Sequence, residues 1–382
     1  MKLGIIGAGH AGVKAAETAA AQGAEVHLYS AEKVLPYYRP KLVGYAFAQS
    51  SLEDITMHDL AWYASRKIDL RLDTPVTACD SAARTLTSGR GTESYDAIIF
   101  SIGSGPAIPP FAHSARKHIH PLWHIEHAED IRGTLAPGRK LVVIGGGILG
   151  VEVAHRGALA GLDVVLVERL EHLMLSNLCT DASEVVENLL RSMGVKILLG
   201  TTVSSIARQN AGDFQLIMES GDVMTADLVV LAVGARRDVT LPKSSGLVCG
   251  KGIRVDMKMQ ASAPSVFACG DIAEWDHVDI FCALEAVLQG KVAAVNALSA
   301  AQGMALSAHQ PSDSPIFYSH AGFAVNSIGP ACANGIHTVI LEHSAEIFRG
   351  LLVKDGVLVG IQMAGSAADF RKYEKQLGQK LS

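Results

Sequence analysis

The sequence predicts an α/β fold built from a duplicated β-α-β unit and followed by a small α+β domain. A Gly-x-Gly-x-x-Gly turn between an apolar strand and a small-residue helix occurs twice, and adding 138 to Gly7 gives Gly145. An apolar Asp-x6-Gly strand also occurs twice, at Asp96–Gly103 and at Asp227–Gly234. The composition, 49% apolar with 37 glycines and 5% aromatic residues, suits sheets packed with small aliphatic side chains. Such an internal repeat rarely arises by chance.

The second copy of the unit, Leu141–Glu168, has the sequence of a dinucleotide-binding turn. Gly145 permits a sharp turn, Gly147 lets the backbone approach a pyrophosphate, and Gly150 allows the helix to pack closely on the strand. The N-terminus of the predicted helix, which runs from Val151 to about Ala160, would offer N–H groups and a partial positive charge to the phosphates.

The residues that end the second copy bear on the choice of nicotinamide nucleotide. Glu168 follows the strand Asp163–Val167, where a carboxylate accepts hydrogen bonds from the adenine ribose. Arg169 could instead attract the 2′-phosphate of NADPH. Because the carboxylate occupies the ribose position itself, we expect NADH, with NADPH the less favoured nucleotide.

The first copy repeats this pattern with one difference. The predicted strand Lys2–Ile6, helix Val13–Gln22 and strand Glu25–Tyr29 flank its turn. The offset that relates the glycines takes Glu168 back to Ser30, so the acid is missing there. Glu32 could reach a ribose from two residues further on, or Ser30 could form a weaker neutral hydrogen bond. Both alternatives stay open.

Two further segments carry candidate site residues. Two prolines and two tyrosines in Leu35–Leu42 predict an ordered, extended loop. Within it, Pro40 presets Arg39, which could point at an electron-rich ring system or could be an exposed loop arginine. Further along, the apolar strand in Ser265–Asp271 ends in Gly-Asp. The carboxylate of Asp271 would stand where a sugar-alcohol chain could be bound.

Composition excludes several classes of function. A net charge of −5 gives no indication of nucleic acid or of an anionic membrane surface. No apolar run approaches the ~18–20 residues of a membrane span. The chain enters its first strand without the pattern of a signal peptide, so we expect a cytoplasmic protein. The six cysteines do not have the spacing of zinc ligands, and no metal site is predicted. They are at positions 79, 179, 249, 269, 282 and 332.

The C-terminal part has its own pattern. A polar linker, Gln302–Ser314, precedes two predicted strands that flank Asp355-Gly356, a strong hairpin signal. Ala367–Leu381 has the composition of a basic helix. These patterns predict four segments: a first part of one domain at 1–110, a second domain at 111–236, the return of the first domain at 237–305, and a C-terminal interface domain at 306–382.

Taken in order, the two glycine turns, the two Asp-x6-Gly strands and the Ala-Cys-Gly-Asp box resemble a flavoprotein superfamily. It is that of the pyridine nucleotide-disulfide oxidoreductases, which includes glutathione reductase, NADH oxidases, ferredoxin reductases and rubredoxin reductases. The resemblance implies two Rossmann-like domains, with FAD on the first unit and a nicotinamide nucleotide on the second. It also implies that Asp271 binds the FAD ribityl hydroxyls, that Glu152 lies beside the nicotinamide, and that Arg39 approaches the flavin ring.

The resemblance therefore assigns two residues to the reaction, Arg39 and Glu152, and a larger set to cofactor binding. The cofactor set comprises Gly7, Gly9, His10, Ala11, Gly12, Ser30, Glu32, Arg39, Pro40, Val76, Ser101, Gly103, Gly145, Gly147, Ile148, Leu149, Gly150, Glu152, Glu168, Arg169, Gly234, Gly270 and Asp271.

The absence of cysteine at certain positions narrows the choice among the branches of the superfamily. None of the first 78 residues is cysteine, and Val43, Gly44 and Tyr45 stand where thiol-dependent members carry one. Without a thiol nucleophile, electrons must leave the flavin directly. This resembles the electron-transfer branch, in which flavin accepts hydride and releases single electrons to a small iron protein. The short C-terminal tail is similar to that of NADH:rubredoxin reductases, including those that serve flavorubredoxin.

The expected function is thus that of an FAD-dependent NADH reductase for a rubredoxin-like carrier, acting as a monomer or homodimer. Two alternatives remain. The acceptor could be a ferredoxin, a nitrite-reductase partner or a quinone. Alternatively, the flavin could sense NADH in a redox-responsive binding partner similar to apoptosis-inducing factor. For the tail, a dimerisation or packing role stays open beside a role in carrier binding.

Overall fold

A computed structural model of the chain describes residues 1–209, 212–275, 281–312, 315–331 and 335–381. Cys332 and the last two residues of the predicted linker lie outside these ranges. The chain divides into two compact units. The first comprises Met1–Lys41, Ser51–Gly105 and Ala235–Ser312, and the second comprises Leu42–Ser50, Pro106–Gly234 and Asp313–Ser382.

The strands, in chain order, are β1 (Lys2–Ile6), β2 (Glu25–Tyr29), β3 (Ile68–Arg71), β4 (Val76–Asp80), β5 (Thr85–Ser88), β6 (Gly91–Ser94), β7 (Ala97–Phe100), β8 (Gly105–Pro106), β9 (Lys140–Ile144), β10 (Asp163–Val167), β11 (Lys196–Leu198), β12 (Val203–Arg208), β13 (Phe214–Met218), β14 (Val223–Ala226), β15 (Leu228–Leu231), β16 (Ala235–Arg236), β17 (Ile253–Arg254), β18 (Val266–Ala268), β19 (Ala273–Glu274), β20 (Ile316–His320), β21 (Phe323–Ile328), β22 (His337–His343), β23 (Phe348–Lys354) and β24 (Val357–Ala364).

The α-helices are α1 (His10–Ala21), α2 (Leu42–Ala46), α3 (Leu52–Ile55), α4 (Leu60–Ser65), α5 (Ile125–Thr134), α6 (Ile148–Leu159), α7 (Thr180–Ser192), α8 (Thr240–Ser244), α9 (Ala283–Ala301) and α10 (Phe370–Glu374). Short 3₁₀ helices cover Arg39–Lys41, Pro110–Ala115 and Gly270–Ile272. Among the described residues, none of the helices is both long and apolar enough to cross a membrane.

The first unit is organised around a parallel sheet of order β18-β7-β1-β2-β3. One face packs on α1 and α9, where alanine and glycine allow close approach: a Cβ on Gly290 would lie 2.3 Å from the carbonyl oxygen of Ala11. The other face packs on the antiparallel sheet β4-β5-β6 through Leu86 and Phe100. Because β1, β7 and β18 are parallel, the loops that follow them begin at the same edge of the sheet.

The second unit repeats this plan and adds a third sheet. Its parallel sheet has the order β11-β10-β9-β15, and the antiparallel sheet β12-β13-β14 shares an apolar core with it. The five-stranded antiparallel sheet β20-β21-β24-β23-β22 packs on α7 and α10. The predicted α/β class, with two Rossmann-like units and a small C-terminal α+β part, is confirmed.

Three local predictions differ from the structure. The composition of Ser50–Arg66 predicts helix, but the structure has two short helices with a break between them, because the Asp59 carboxylate accepts the Trp62 N–H at 2.8 Å and starts a new helix. The predicted extended loop turns helical from Arg39 onward, since Pro40 is compatible with a first helical turn.

The largest difference from the prediction concerns the C-terminal basic helix. Only Phe370–Glu374 is helical, and the chain then returns to the sheet, where the N–H of Leu358 donates to the carbonyl of Gln379 at 2.9 Å. Asp369, with φ of 63°, and Gly378, with φ of 76°, occupy left-handed conformations on either side of this helix. Helical spacing therefore does not relate Arg371 to Lys380.

Candidate cofactor-binding sites

The first glycine turn connects β1 to α1 and is sterically closed on two sides. Gly7 has φ of +104°, and a Cβ there would lie 2.4 Å from the carbonyl oxygen of Ser101. A Cβ on Gly12 would lie 1.9 Å from the carbonyl oxygen of Gly7. The Ser101 hydroxyl donates to the carbonyls of Ile6 (3.0 Å) and Gly7 (2.8 Å), which holds the turn against the end of β7.

The second turn, between β9 and α6, repeats this geometry almost atom for atom. Gly145 has φ of +108°, and its Cβ would lie 2.4 Å from the carbonyl oxygen of Ala232. On Gly150 a Cβ would lie 1.8 Å from the carbonyl oxygen of Gly145. The predicted roles of the outer glycines, a sharp turn and a close helix–strand approach, follow directly from these distances.

The middle glycine of each turn differs from its neighbours. A Cβ on Gly9 or on Gly147 would meet no protein atom within 4 Å, although both residues have ordinary extended backbone angles. Each is the N-cap of its helix, without a side-chain cap, so the first N–H groups of the two helices are available to a ligand. Both turns thus form cradles that a side chain would fill, and both fit a dinucleotide pyrophosphate.

Residues that flank these cradles are placed as follows. Ala11 is buried beneath the first turn, whereas Ile148 and Leu149 open α6 and are half-buried. Gly103 (φ +68°) and Gly234 (φ +107°) each lie three residues after the corresponding strands β7 and β15, and a Cβ on either would meet nothing within 4 Å. Val76 opens β4 in a half-buried position, and Pro40 is exposed.

Ser30 and Glu32 have separate roles after β2. The Ser30 hydroxyl accepts the backbone N–H of Glu32 at 3.1 Å and so shapes the turn. The Glu32 carboxylate accepts hydrogen bonds from the Tyr37 hydroxyl at 2.7 Å and from Arg39 Nη2 at 3.1 Å. Ser30 therefore serves the backbone, and Glu32 is the acid presented beyond this strand.

Arg39 lies among several predicted site residues of the first unit. Besides its ion pair with Glu32, it is close enough to His10 and Asp271 to affect the pKa of each. Burial, and secondarily the charge of Arg39, lowers the pKa of His10 to about 4. His10 is therefore neutral near pH 7 and can offer a cofactor a hydrogen bond but not a charge.

Asp271 follows Gly270 in the 3₁₀ turn after β18 and is fixed by two residues that the sequence did not single out. The Ser104 hydroxyl donates to Asp271 Oδ2 at 2.6 Å, and Arg237 Nε donates to the Asp271 carbonyl. Burial raises the pKa of Asp271, an effect opposed by the Ser104 hydrogen bond and by the charges of Arg237 and Arg39. Ser104 directly follows Gly103, so its place at the end of the Asp-x6-Gly strand was the available signal.

Glu168 is held by the backbone of its own unit. Its Oε2 accepts the N–H of Gly146 at 2.5 Å, and its Oε1 accepts the N–H of Leu170 at 2.8 Å. These bonds hold the carboxylate beside the glycine turn, and each oxygen retains a lone pair for a hydroxyl donor. Arg169 is exposed.

Glu152 lies on the first turns of α6, two residues after Gly150. Arg156 Nε donates to Glu152 Oε1 at 2.8 Å, and both side chains are only about one-eighth exposed (12% and 13%). Burial raises the pKa of Glu152, whereas the adjacent guanidinium opposes that rise. The pair is an i, i+4 contact visible in the sequence, but its burial is not.

The described cysteines near the first site are poor nucleophiles. Cys79 on β4 is buried, and burial raises the pKa of its thiol to about 11. Cys269, next to Gly270, is fully buried, and its pKa is raised to about 12. Since the thiolate is the reactive form, neither residue is suited to a thiol relay.

Two cradles on repeated β-α-β units define the chain as a protein that holds two dinucleotides. Residues 1–301 match the family described as pyridine nucleotide-disulphide oxidoreductase, and the chain belongs to that family. Homologues in it depend on FAD and NAD(H), so the predicted family and cofactors are confirmed.

Two curated relatives and one solved structure show what the chain is similar to. The rubredoxin-NAD(+) reductase of Ectopseudomonas oleovorans is 30% identical over 278 residues, 72% of each sequence. The biphenyl dioxygenase system ferredoxin–NAD(+) reductase component of Paraburkholderia xenovorans (strain LB400) is 31% identical over 277 residues, 72% of this chain and 67% of that protein. A crystal structure of the covalent putidaredoxin reductase–putidaredoxin complex matches with a TM-score of 0.88 at 24% identity, covering 100% of this chain and 93% of that chain.

Proposed function

We propose that this protein is an FAD-dependent NADH reductase that passes electrons to a small iron carrier of the rubredoxin type. The observation that carries the proposal is the pair of equivalent cradles at Gly9 and Gly147, each open to a ligand. One dinucleotide site suits a resident cofactor and the other a nucleotide that donates hydride. Buried, protonated thiols at Cys79 and Cys269 support direct electron transfer without a cysteine relay.

FAD, when bound on the first unit, supplies the conversion of a two-electron hydride into single electrons. The first α-helix would present its N–H groups to the pyrophosphate, Glu32 would accept from the ribose, and Asp271 would accept from the ribityl chain. Arg39 and His10 would line the same site as a cation and a neutral hydrogen-bonding ring. In the second unit, α6 would bind the pyrophosphate of NADH, and Glu152 would lie beside the nicotinamide.

The preference for NADH rests on Glu168. Its carboxylate is fixed by two backbone N–H groups, so it cannot turn away from a 2′-phosphate without losing both hydrogen bonds. A phosphate at that position would meet a fixed negative charge. Exposed Arg169 has no comparable constraint among the described residues, and NADPH is therefore the poorer donor.

The first experiment is anaerobic reduction of the purified flavoprotein. Adding one equivalent of NADH should bleach the visible flavin absorbance, and NADPH at equal concentration should act much more slowly. A flavin that stays oxidised with NADH but is reduced by dithionite would refute the proposed donor.

The acceptor is tested separately, by reoxidation of the NADH-reduced protein in a stopped-flow instrument. A rubredoxin should reoxidise it faster than a ferredoxin or a quinone. The similarity to a ferredoxin–NAD(+) reductase component favours ferredoxin as the second candidate. Faster reoxidation by ferredoxin would replace rubredoxin in the proposal, whereas slow reoxidation by every carrier would favour the NADH-sensing alternative.

A further inference from the structure

A polar cluster connects Glu152 on α6 to the C-terminal antiparallel sheet, within the second unit. Its members are Glu152, His155 and Arg156 on α6, Gln49 after α2, and Tyr318 on β20. Gln49 lies 107 residues before Arg156 in the sequence, and Tyr318 lies 163 residues after His155. Neither the resemblance nor the comparisons assign a role to His155, Arg156 or Tyr318.

Arg156 is constrained on three sides. Its Nε donates to Glu152 Oε1 at 2.8 Å, and its Nη1 donates to Gln49 Oε1 at 2.6 Å. The guanidinium carbon lies 5.7 Å from the centre of the Tyr318 ring, within cation–π range. Gly44 leaves the necessary space, because a Cβ there would lie 3.2 Å from Nη1.

Tyr318 is fixed in turn by a buried histidine. His155 is fully buried, its Nδ1 lies 2.6 Å from the Tyr318 hydroxyl, and its ring stacks on Phe323 at 4.6 Å. Burial, with the nearby charges of His320 and Arg156, lowers the pKa of His155 to about 4. The neutral ring therefore shares a hydrogen bond with the Tyr318 hydroxyl through Nδ1.

The Glu152 carboxylate, at the end of this chain of contacts, leaves one of its two oxygens available to a ligand. Glu152 Oε1 is bonded to Arg156, whereas Oε2 makes no hydrogen bond within the described part of the chain. A carboxylate fixed through one oxygen can accept an amide N–H through the other. The nicotinamide carboxamide is a donor of this kind.

We propose that Arg156, supported by Gln49, Tyr318 and His155, is a positioning residue that orients the Glu152 carboxylate to bind the nicotinamide carboxamide. The proposal rests on the proposed function, because it assumes that NADH binds the second unit. It gives the C-terminal sheet a part in nicotinamide binding, through β20.

The test compares Arg156→Met with Arg132→Met, in the oxidised FAD-containing protein. Arg132 is a matched control because it also holds the segment 42–50, by donating to the carbonyls of Tyr45 (2.9 Å) and Ser50 (3.0 Å), without contacting Glu152. NAD⁺ affinity is measured by calorimetry between pH 6 and pH 9. Reduction by NADH in a stopped-flow instrument then separates the Kd from the limiting rate.

Wild type and Arg132→Met should show the same NAD⁺ affinity across this pH range. In Arg156→Met, burial would raise the pKa of Glu152 without the opposing charge of the guanidinium, and the protonated carboxyl is a weaker acceptor for the amide than the carboxylate. The NAD⁺ affinity of this variant should therefore fall as the pH is lowered from 9 to 6. The other titratable groups that face the cluster are His155 and His320, whose pKa values lie below their ordinary range, and Tyr318, whose pKa is raised. His155 and Tyr318 do not change charge between pH 6 and pH 9, and His320 is present in every variant, so its titration is common to all of them.

Three more variants keep the test decisive. Glu152→Gln/Arg156→Met should lose the pH dependence, and Arg156→Lys should restore most of the wild-type profile. If Arg156→Met does not fold, Tyr318→Phe removes one hydroxyl only and should give the same trend with a smaller, about two- to threefold, change. Identical profiles for Arg156→Met and Arg132→Met, or an unaltered Tyr318→Phe, would overturn the proposal. Failure of the proposed function is distinguishable, since wild type itself would then not bind NAD⁺.

Discussion

At the scale of single residues, the glycine turns show that two glycines of one motif can be required for opposite structural reasons. Gly150 has no room, because its Cβ would lie 1.8 Å from a carbonyl oxygen of the protein. Gly147 has room that the protein does not use. The Gly-x-Gly-x-x-Gly motif alone does not distinguish these two positions, because both are glycine.

This difference predicts how two alanine variants behave. Gly147→Ala should fold with an unchanged Tm, because its backbone angles suit alanine, but should bind NAD⁺ at least about tenfold more weakly through a clash with the nucleotide. Gly150→Ala should unfold at lower temperature. Thermal unfolding and calorimetry with NAD⁺ measure the two effects. Equal loss of Tm in both variants would contradict the assignment of Gly147 to the ligand.

Replacing Glu168 should change nucleotide preference. Glu168→Ser installs the residue found at the equivalent position of the first copy and removes a fixed carboxylate. A hydrogen bond to a charged group contributes about 1.5–3 kcal/mol, so the ratio of kcat/KM for NADH over NADPH should fall at least about tenfold. Arg169→Ala is the neighbouring control and should leave kcat/KM for NADH unchanged. An unaltered ratio in Glu168→Ser would remove this residue from donor selection.

At the scale of secondary structure elements, α9 is held to the first site by a buried charged group. Glu285 Oε1 lies 2.5 Å from His309 Nε2 and accepts from Gln289, whose own Oε1 accepts the N–H of Gly270 at 2.8 Å. Although burial raises it, hydrogen bonds from His309, Ser312 and Gln289 lower the pKa of Glu285 to about 2. The network joins this helix to the turn that carries Asp271.

Glu285→Ala should therefore destabilise the protein by about 3 kcal/mol in urea unfolding, since it leaves buried partners unpaired. The folded-state pKa is depressed below the ordinary 4.5, so the stabilisation is present above pH 4.5 and is lost as the pH falls toward 2. The difference between wild type and variant should shrink over that interval. Lys291→Ala, at an exposed position of the same helix, serves as control and should change stability little. A pH-independent difference would argue against ionised Glu285.

The short α10 supports a weaker partner surface than a long basic helix would. Arg371 pairs with Glu374 at 2.6 Å and is 72% exposed. Charge reversal of Arg371, Lys372 and Lys375 should slow reduction of an acidic carrier and weaken the salt dependence of the reaction. Lys117→Glu, on another exposed segment, should alter neither. If the triple variant reduces rubredoxin like wild type at low salt, this surface has no part in docking.

At the scale of the whole chain, repetition made most of the fold predictable. The strands Lys2–Ile6, Glu25–Tyr29 and Asp163–Val167 were predicted with the bounds that the structure gives. Both parallel sheets and their antiparallel partners follow from two copies of one plan. What the sequence could not show were contacts between distant segments, such as Ser104 with Asp271 and His155 with Tyr318. No periodic pattern encodes such pairs, because each depends on where two loops or elements end in space.

The two carboxylates that we propose to bind ribose, Glu32 and Glu168, also differ in what holds them, and this bears on residence time. Within the described residues, Glu168 is hydrogen-bonded only to backbone N–H groups beside its own turn, so no side chain has to move when a nucleotide arrives or leaves. Glu32 is bound by Tyr37 and Arg39, two side chains from the segment that follows it. A cofactor bound to Glu32 would therefore contact a segment that is held by an ion pair. We therefore expect slow release from the first unit and rapid exchange on the second, the kinetic difference between a prosthetic group and a cosubstrate.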